Sequence, residues 1–186
     1  HHEAQAVLPR IIAAAELDQF ILVGHSDGGS IALIYAGSTE VSDISGVILL
    51  APHVFNEAAC IESIQHAGQL YRETNLRERL ARYHSNVDNA FWGWHDVWLD
   101  SAFWEWTIES FLASIKVPIL LIQGENDQYG TLHQIDTIQQ KVSGFVRRLI
   151  LSDCGHAPHQ DQPEIVLNSM INFITTCATS SEFTAY

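Results

Sequence analysis

The chain is short of basic residues. Nine Lys and Arg stand against 22 Asp and Glu across 186 residues, a formal net charge of −13. No basic stripe is available to meet phosphate, which argues against nucleic acid and anionic membrane as partners. Cysteine is scarce as well. Cys60, Cys154 and Cys177 lie far apart with no CxxC pair. An odd, scattered set argues against a disulfide framework and reads as a reducing, cytoplasmic compartment. No apolar run approaches membrane-spanning length. The first ten residues carry His1, His2, Glu3 and Arg10, which does not read as a secretory signal. The ten histidines show no HxxxH spacing, so neither a metal nor another cofactor is expected. No repeat or low-complexity segment is evident.

What is present is a core-forming composition, 47% hydrophobic, at a length that fits one domain or one domain with an inserted cap. Four apolar runs read as parallel strands: 20–23 (FILV), 46–50 (GVILL), 118–122 (PILLI) and 146–151 (VRRLIL). The first three are unbroken, as strands covered on both faces should be. The fourth carries Arg147 and Arg148 and reads as nearer an edge. Helical patterns alternate with them. One spans 4–17, where Pro9 should kink or delay it. A second spans 28–36 and should stop at Gly37. A third spans 163–177, with Ile165, Val166, Met170, Ile171 and Phe173 on one broad face and Asp161 with Glu164 resembling a capping box. This alternation predicts an α/β fold, a mostly parallel sheet of about four strands with helices on both faces.

Residues 1–52 and 117–178 form the expected core, with 53–116 as a helical cap insert. Within it, helices are expected over 57–73, 76–83 and 103–114. All five tryptophans fall there, among them Trp92 and Trp94. They read either as the lining of an apolar pocket or as the cap's own core. The polar tail 179–186 reads as frayed.

Gly24-His25-Ser26-Asp27-Gly28 fits G-x-S-x-G. It directly follows one predicted strand and opens a predicted helix, the setting in which such a turn presents a serine hydroxyl. The glycines read as positions where a side chain would strike the neighbouring strand or helix. A serine needs a base. The order Ser, acid, His along the chain is supplied by Gly124-Glu-Asn-Asp127 after the third strand and Ser152-Asp-Cys-Gly-His156 after the fourth. Asp127, Glu125 and Asp153 are all candidate acids. His25 and His53 are candidate pocket residues beside the turn; His159 reads as solvated or as a more distant support.

GHSDGG, LLAP, VPILLIQGENDQYG and CGHAPHQDQPE together resemble the α/β-hydrolase superfamily, and within it the capped carboxylesterases and the valacyclovir-hydrolase-like and C–C hydrolase groups. The resemblance implies a partial α/β-hydrolase fold. It implies Ser26 as nucleophile, His156 as general base and acid, and Asp127 as the group orienting that histidine. The Asp27 backbone N–H becomes one oxyanion donor; the second is left unassigned. The implied activity is hydrolysis of a small-molecule carboxylic ester through an acyl-enzyme, with C–C hydrolase and aminopeptidase chemistry as alternatives.

Residue 26 comes early for this fold, and the chain does not open on Met. The first half of the usual sheet is therefore expected to be missing. Either a longer parent supplies it, or a homodimer forms through the free strand edge from Phe20 to Val23. A weakly active or inactive module that associates through that edge is the reading of another class.

Overall fold

The computed structural model describes residues 1–38 and 43–179. Helical backbone begins as a single π-type turn over Glu3–Val7 and continues as α1 (Leu8–Ala14), with Pro9 in the first turn of α1. The expected break at Pro9 is thus a change of helix type: the wider turn precedes the residue that has no N–H to give. There follow β1 (Phe20–His25), α2 (Asp27–Ser38), β2 (Ile44–Leu50), the insert, α6 (Glu109–Leu112), β3 (Ile119–Gly124), α7 (Leu132–Lys141), β4 (Val146–Leu151), α8 (Pro158–Asp161) and α9 (Pro163–Thr179).

The four strands form one parallel sheet in the order β1-β2-β3-β4. Side chains alternate across it. Ile48, Leu50, Leu120 and Ile122 join Leu151 and the α9 residues Val166, Phe173 and Cys177 in one buried cluster. The intervening Val47, Leu49, Ile119 and Leu121, all fully buried, face the opposite side, where α2, α6 and α7 pack. Right-handed crossovers between successive parallel strands put these connecting helices on one face and leave the other to α9.

Both edge strands are less covered than the centre. β4 pairs its Arg148 with Asp136 of α7 at 2.7 Å. β1 is the other outer strand, which leaves free the edge expected from Phe20 to Val23; the cover on both faces also expected of it does not reach Val23, which is 54% exposed. Two helix expectations also change. α2 runs through Gly37 to Ser38. A Cβ at Gly37 would lie 2.3 Å from the Phe111 carbonyl oxygen, so this glycine permits close approach of the chain around α6 and ends nothing. In α9 only Val166, Phe173 and Cys177 are buried. Ile165 and Ile171 are about half exposed, so the apolar face turned inward is narrower than the pattern suggested. Asp161 ends α8, and its carboxylate accepts the Gly155 N–H at 2.8 Å.

The chain separates into a core unit, His1–Val54 with Ile108–Tyr186, and an inserted unit, Phe55–Thr107. The inserted unit holds α3 (Ala58–Glu73), α4 (Leu76–Leu80) and α5 (Val87–Leu99). Helix α5 falls where none was expected, started by the Asn86 side chain, which accepts the Asn89 N–H. The expected helix over 103–114 is instead a 3-10 turn (Ser101–Phe103), a lone bridge between Phe55 and Thr107, and the short α6. Asp88 of α5 accepts from the Tyr71 hydroxyl and, through two bonds, from the Arg77 guanidinium, tying the three helices together. The expected tail lies, from residue 180 on, outside the described residues. Among the described residues no helix is long and apolar enough to cross a membrane.

Phe173 has no exposed surface and anchors α9 to the sheet. Replacing it with Ala removes that volume without refilling it, and we expect a loss of about 3–5 kcal/mol in urea unfolding. The exposed Leu167→Ala on the same helix should stay within about 0.5 kcal/mol of the parent.

Candidate active site

The sheet's register brings its C-terminal ends within two residues of one another: His25 pairs with Leu50 and Leu50 with Ile122, and β3 and β4 run on to the pair Gly124 and Leu151. Ser26, His53, Asp127 and His156 each follow one of these ends within a few residues. Four loops from four strands therefore converge on one rim of the sheet, where ligands bind in open α/β folds.

Ser26 occupies the turn from β1 into α2 at φ 54°, a left-handed conformation that an L-residue adopts only when its surroundings impose it. Its N–H donates to the Leu50 carbonyl at 2.9 Å, and its own carbonyl accepts from the Gly29 and Ser30 N–H groups. The turn needs Gly24: a Cβ there would lie 2.4 Å from the Gly28 carbonyl oxygen, against backbone that cannot move aside. Gly28 is different. A Cβ at that position would meet nothing within 4 Å, so steric need falls on Gly24 and, against Pro52 at 3.0 Å, on Gly29. Asp27 is the first residue of α2, where backbone N–H groups point out of the helix and favour negative charge.

His156 bridges the other two groups. Its Nδ1 lies 2.9 Å from both carboxylate oxygens of Asp127, and its Nε2 lies 2.9 Å from Ser26 Oγ. A carboxylate accepts, so Nδ1 carries the proton and donates it. Nε2 is then left with its lone pair, free to accept the Ser26 hydroxyl proton. Asp127, rather than Glu125 or Asp153, meets the imidazole; those two are exposed. The Asp127 side chain is 1% exposed. It also accepts from Gln123 Nε2 at 2.7 Å, from the Tyr129 N–H at 2.8 Å and from the Gly130 N–H. Burial pushes this carboxyl up, but the bond and charge of His156, the Tyr129 N–H and the charge of His53 outweigh it. The group is held below the usual carboxylate range.

Aromatic rings wall in His156. His25, His53 and Tyr129 stand 5.1, 5.6 and 4.9 Å from it, centroid to centroid. His53 is 2% exposed. It is reached through Ala51, which has φ 47° and donates its N–H to Ile122. The His53 carbonyl accepts the Ser30 hydroxyl at 2.6 Å. His25 also meets His159, at 4.9 Å. Despite these imidazoles, no group of three or more His, Cys, Asp or Glu among the described residues is arranged to hold a metal ion. Trp92 and Trp94 belong to the inserted unit. There they pack against the cluster of Ala67, Tyr71, Val87 and Phe91, with the Arg72 guanidinium 4.6 Å over the Trp92 ring.

Gln123, Tyr129 and Gln134 were not singled out from sequence. Gln123 and Gln134 have no exposed surface, and the Gln134 side chain accepts the Val54 N–H next to His53. Their one sequence signal is polarity inside an apolar stretch, visible at Gln123 after ILLI.

Gly24→Ala should abolish labelling of Ser26 by a fluorophosphonate and destabilise the fold, because backbone must move to admit the methyl group. Gly28→Ala should leave labelling intact and be neutral or stabilising by up to about 1 kcal/mol. For Asp127, a carboxyl depressed on folding adds stability that is fully present above its unfolded pKa, about 4, and is lost as pH falls through its lower folded value. The urea-unfolding difference between the parent and Asp127→Asn should therefore narrow as pH falls below about 4.

Several solved structures share this architecture. A bacterial membrane phospholipase A, described as a virulence factor, superposes with a TM-score of 0.72 at 20% identity, over 96% of this chain and 63% of its own. A candidate lipase from Acinetobacter baumannii AYE gives 0.71 at 18%, over 96% and 68%. An esterase from Exiguobacterium antarcticum gives 0.66 at 18%, over 91% and 71%. The chain thus spans less than two thirds of the phospholipase, and at these identities the likeness speaks to fold alone. No curated protein sequence matches. A family model does, from residue 1 to residue 168. The sheet order, the serine turn and that match make this chain a member of the alpha/beta hydrolase family.

Proposed function

We propose that the chain is a serine hydrolase that cleaves carboxylic esters through an acyl-enzyme. One observation carries the reading: a single imidazole, His156, lies within hydrogen-bond reach of both Ser26 Oγ and the buried Asp127 carboxylate. That is the arrangement a weak hydroxyl nucleophile requires.

In the proposed reaction Ser26 Oγ attacks the ester carbonyl carbon while His156 Nε2 takes its proton. The carbonyl oxygen becomes an oxyanion, and the Asp27 N–H at the start of α2 donates to it. The imidazolium formed at His156 is stabilised by Asp127, whose depressed carboxyl stays ionised. The tetrahedral centre collapses, the C–O bond to the alcohol breaks, and His156 returns the proton to the departing alkoxide. Water, deprotonated by the same Nε2, then attacks the acyl carbon and frees Ser26 with release of the acid. An alkoxide leaving group suits one imidazole acting as both base and acid. The esterase, lipase and phospholipase names among the structural neighbours support an ester over other acyl substrates.

The test is turnover of p-nitrophenyl acetate and butyrate. Ser26→Ala should lower kcat by at least about 10³-fold, and Asp127→Asn by about 10³–10⁴-fold through loss of the correct tautomer. Stoichiometric fluorophosphonate labelling should fall on Ser26 and vanish in Ser26→Ala. Turnover by Ser26→Ala equal to the parent's would refute the mechanism.

A further inference from the structure

We propose that His25 is a positioning residue for His156: its imidazole grips the His156 main chain and locks it to the turn that carries the nucleophile. The proposal rests on the serine-hydrolase reading above. His25 Nε2 lies 2.7 Å from the His156 carbonyl oxygen, across 131 positions of sequence. A carbonyl can only accept, so Nε2 carries the proton, which sets the tautomer of His25.

The two ring bonds of His156 fix the direction of its imidazole but leave its backbone to the loop that follows β4. That loop contains Asp153 at φ 53°. Three of its other polar groups are tied to different elements. The Ser152 carbonyl accepts from Gln162, the Cys154 carbonyl from the Asn126 N–H, and the Gly155 N–H donates to Asp161. The bond to the carbonyl of His156 itself comes from His25, the residue immediately before Ser26. Nucleophile and base are thereby joined twice: through the Oγ–Nε2 contact that changes during reaction, and through a main-chain link that does not. A misplacement of about 1 Å between reacting groups costs about 10²-fold in rate. Burial pushes the pKa of His25 down, partly opposed by this same bond. The ring thus favours its neutral form and adds no positive charge beside a base that must itself become positive.

The full chain is tested as His25→Phe, which keeps a ring and loses the donor, and as His25→Gln, which restores an N–H at similar reach. With p-nitrophenyl butyrate, the Phe variant should lose about 10–100-fold in kcat with KM within about twofold. The Gln variant should recover most of that loss, and thermal midpoints confirm that both are folded. A folded Phe variant with parental kcat, or a folded Gln variant as slow as Phe, overturns the proposal. Nitrogen-15 spectra of the parent protein decide independently of any variant. His25 should show the Nε2–H tautomer, and an Nδ1–H tautomer overturns the proposal. Parental turnover by Ser26→Ala would sink the hydrolase reading and with it the positioning role, while the tautomer result, which does not depend on activity, would still report the bond itself.

Discussion

The backbone of Ser26 is held where an L-residue resists being held, and the candidate site is organised around that strain. Left-handed φ costs of order 1–2 kcal/mol and persists here because three bonds impose it: Ser26 N–H to Leu50, and the Gly29 and Ser30 N–H groups to the Ser26 carbonyl. One comes from the neighbouring strand and two from the helix that follows. The turn can exist only where a parallel strand and a helix meet at this angle, with a glycine at position 24 to let them touch. Ala51, one strand over, adopts a similar φ and leads the chain toward His53. Two adjacent strands thus store strain at the same rim, and both release their chains beside His156.

The remaining groups follow from alignment of the sheet. Because the strands are parallel and their C-terminal ends lie within two residues of one another, groups far apart in sequence reach one imidazole through short loops. The acid loop is itself organised around Asp127, whose carboxylate gathers Gln123, Tyr129 and Gly130 as well as His156. A carboxylate bonded this way stays ionised and immobile, and that is what orienting an imidazole requires.

Much of this was legible in the sequence. Unbroken β-branched runs marked strands, and the GHSDGG turn between a strand and a helix marked the serine. The candidates Asp127 and His156 came from strand ends read with the Ser, acid, His order of a nucleophile-elbow fold, and nothing local separated Asp127 from Glu125 or Asp153; in space it is Asp127 that meets the imidazole. The errors share a cause, which is tertiary contact. Gly37 looked like a helix stop and proves to be a contact point for the chain around α6. β1 has the free edge expected of it but not the cover on both faces that its unbroken run suggested, as the exposure of Val23 shows. α5 was hidden because aromatic residues mask a 3.6-residue period, and its start depends on the Asn86 side chain. Gln123 was passed over for a further reason. A side chain whose partner is a later carboxylate, as Asp127 is for Gln123, has no pattern of its own until the fold brings the two together.

The excursion from Val54 to Ile108 has a consequence for how such a chain can change. Phe55 and Thr107 bridge each other, and the Ile108 N–H donates to the Val54 carbonyl at 2.8 Å. The insert therefore leaves and re-enters the core through a stitch barely wider than a hairpin, whatever lies beyond it. The entropy of closing a loop grows only slowly with its length, so the sheet, the serine turn and the acid loop are nearly indifferent to how many residues hang from that stitch. Lengthening, shortening or exchanging the insert becomes an editing operation at two neighbouring peptide bonds. The candidate-site groups and the insert are then free to evolve on separate clocks.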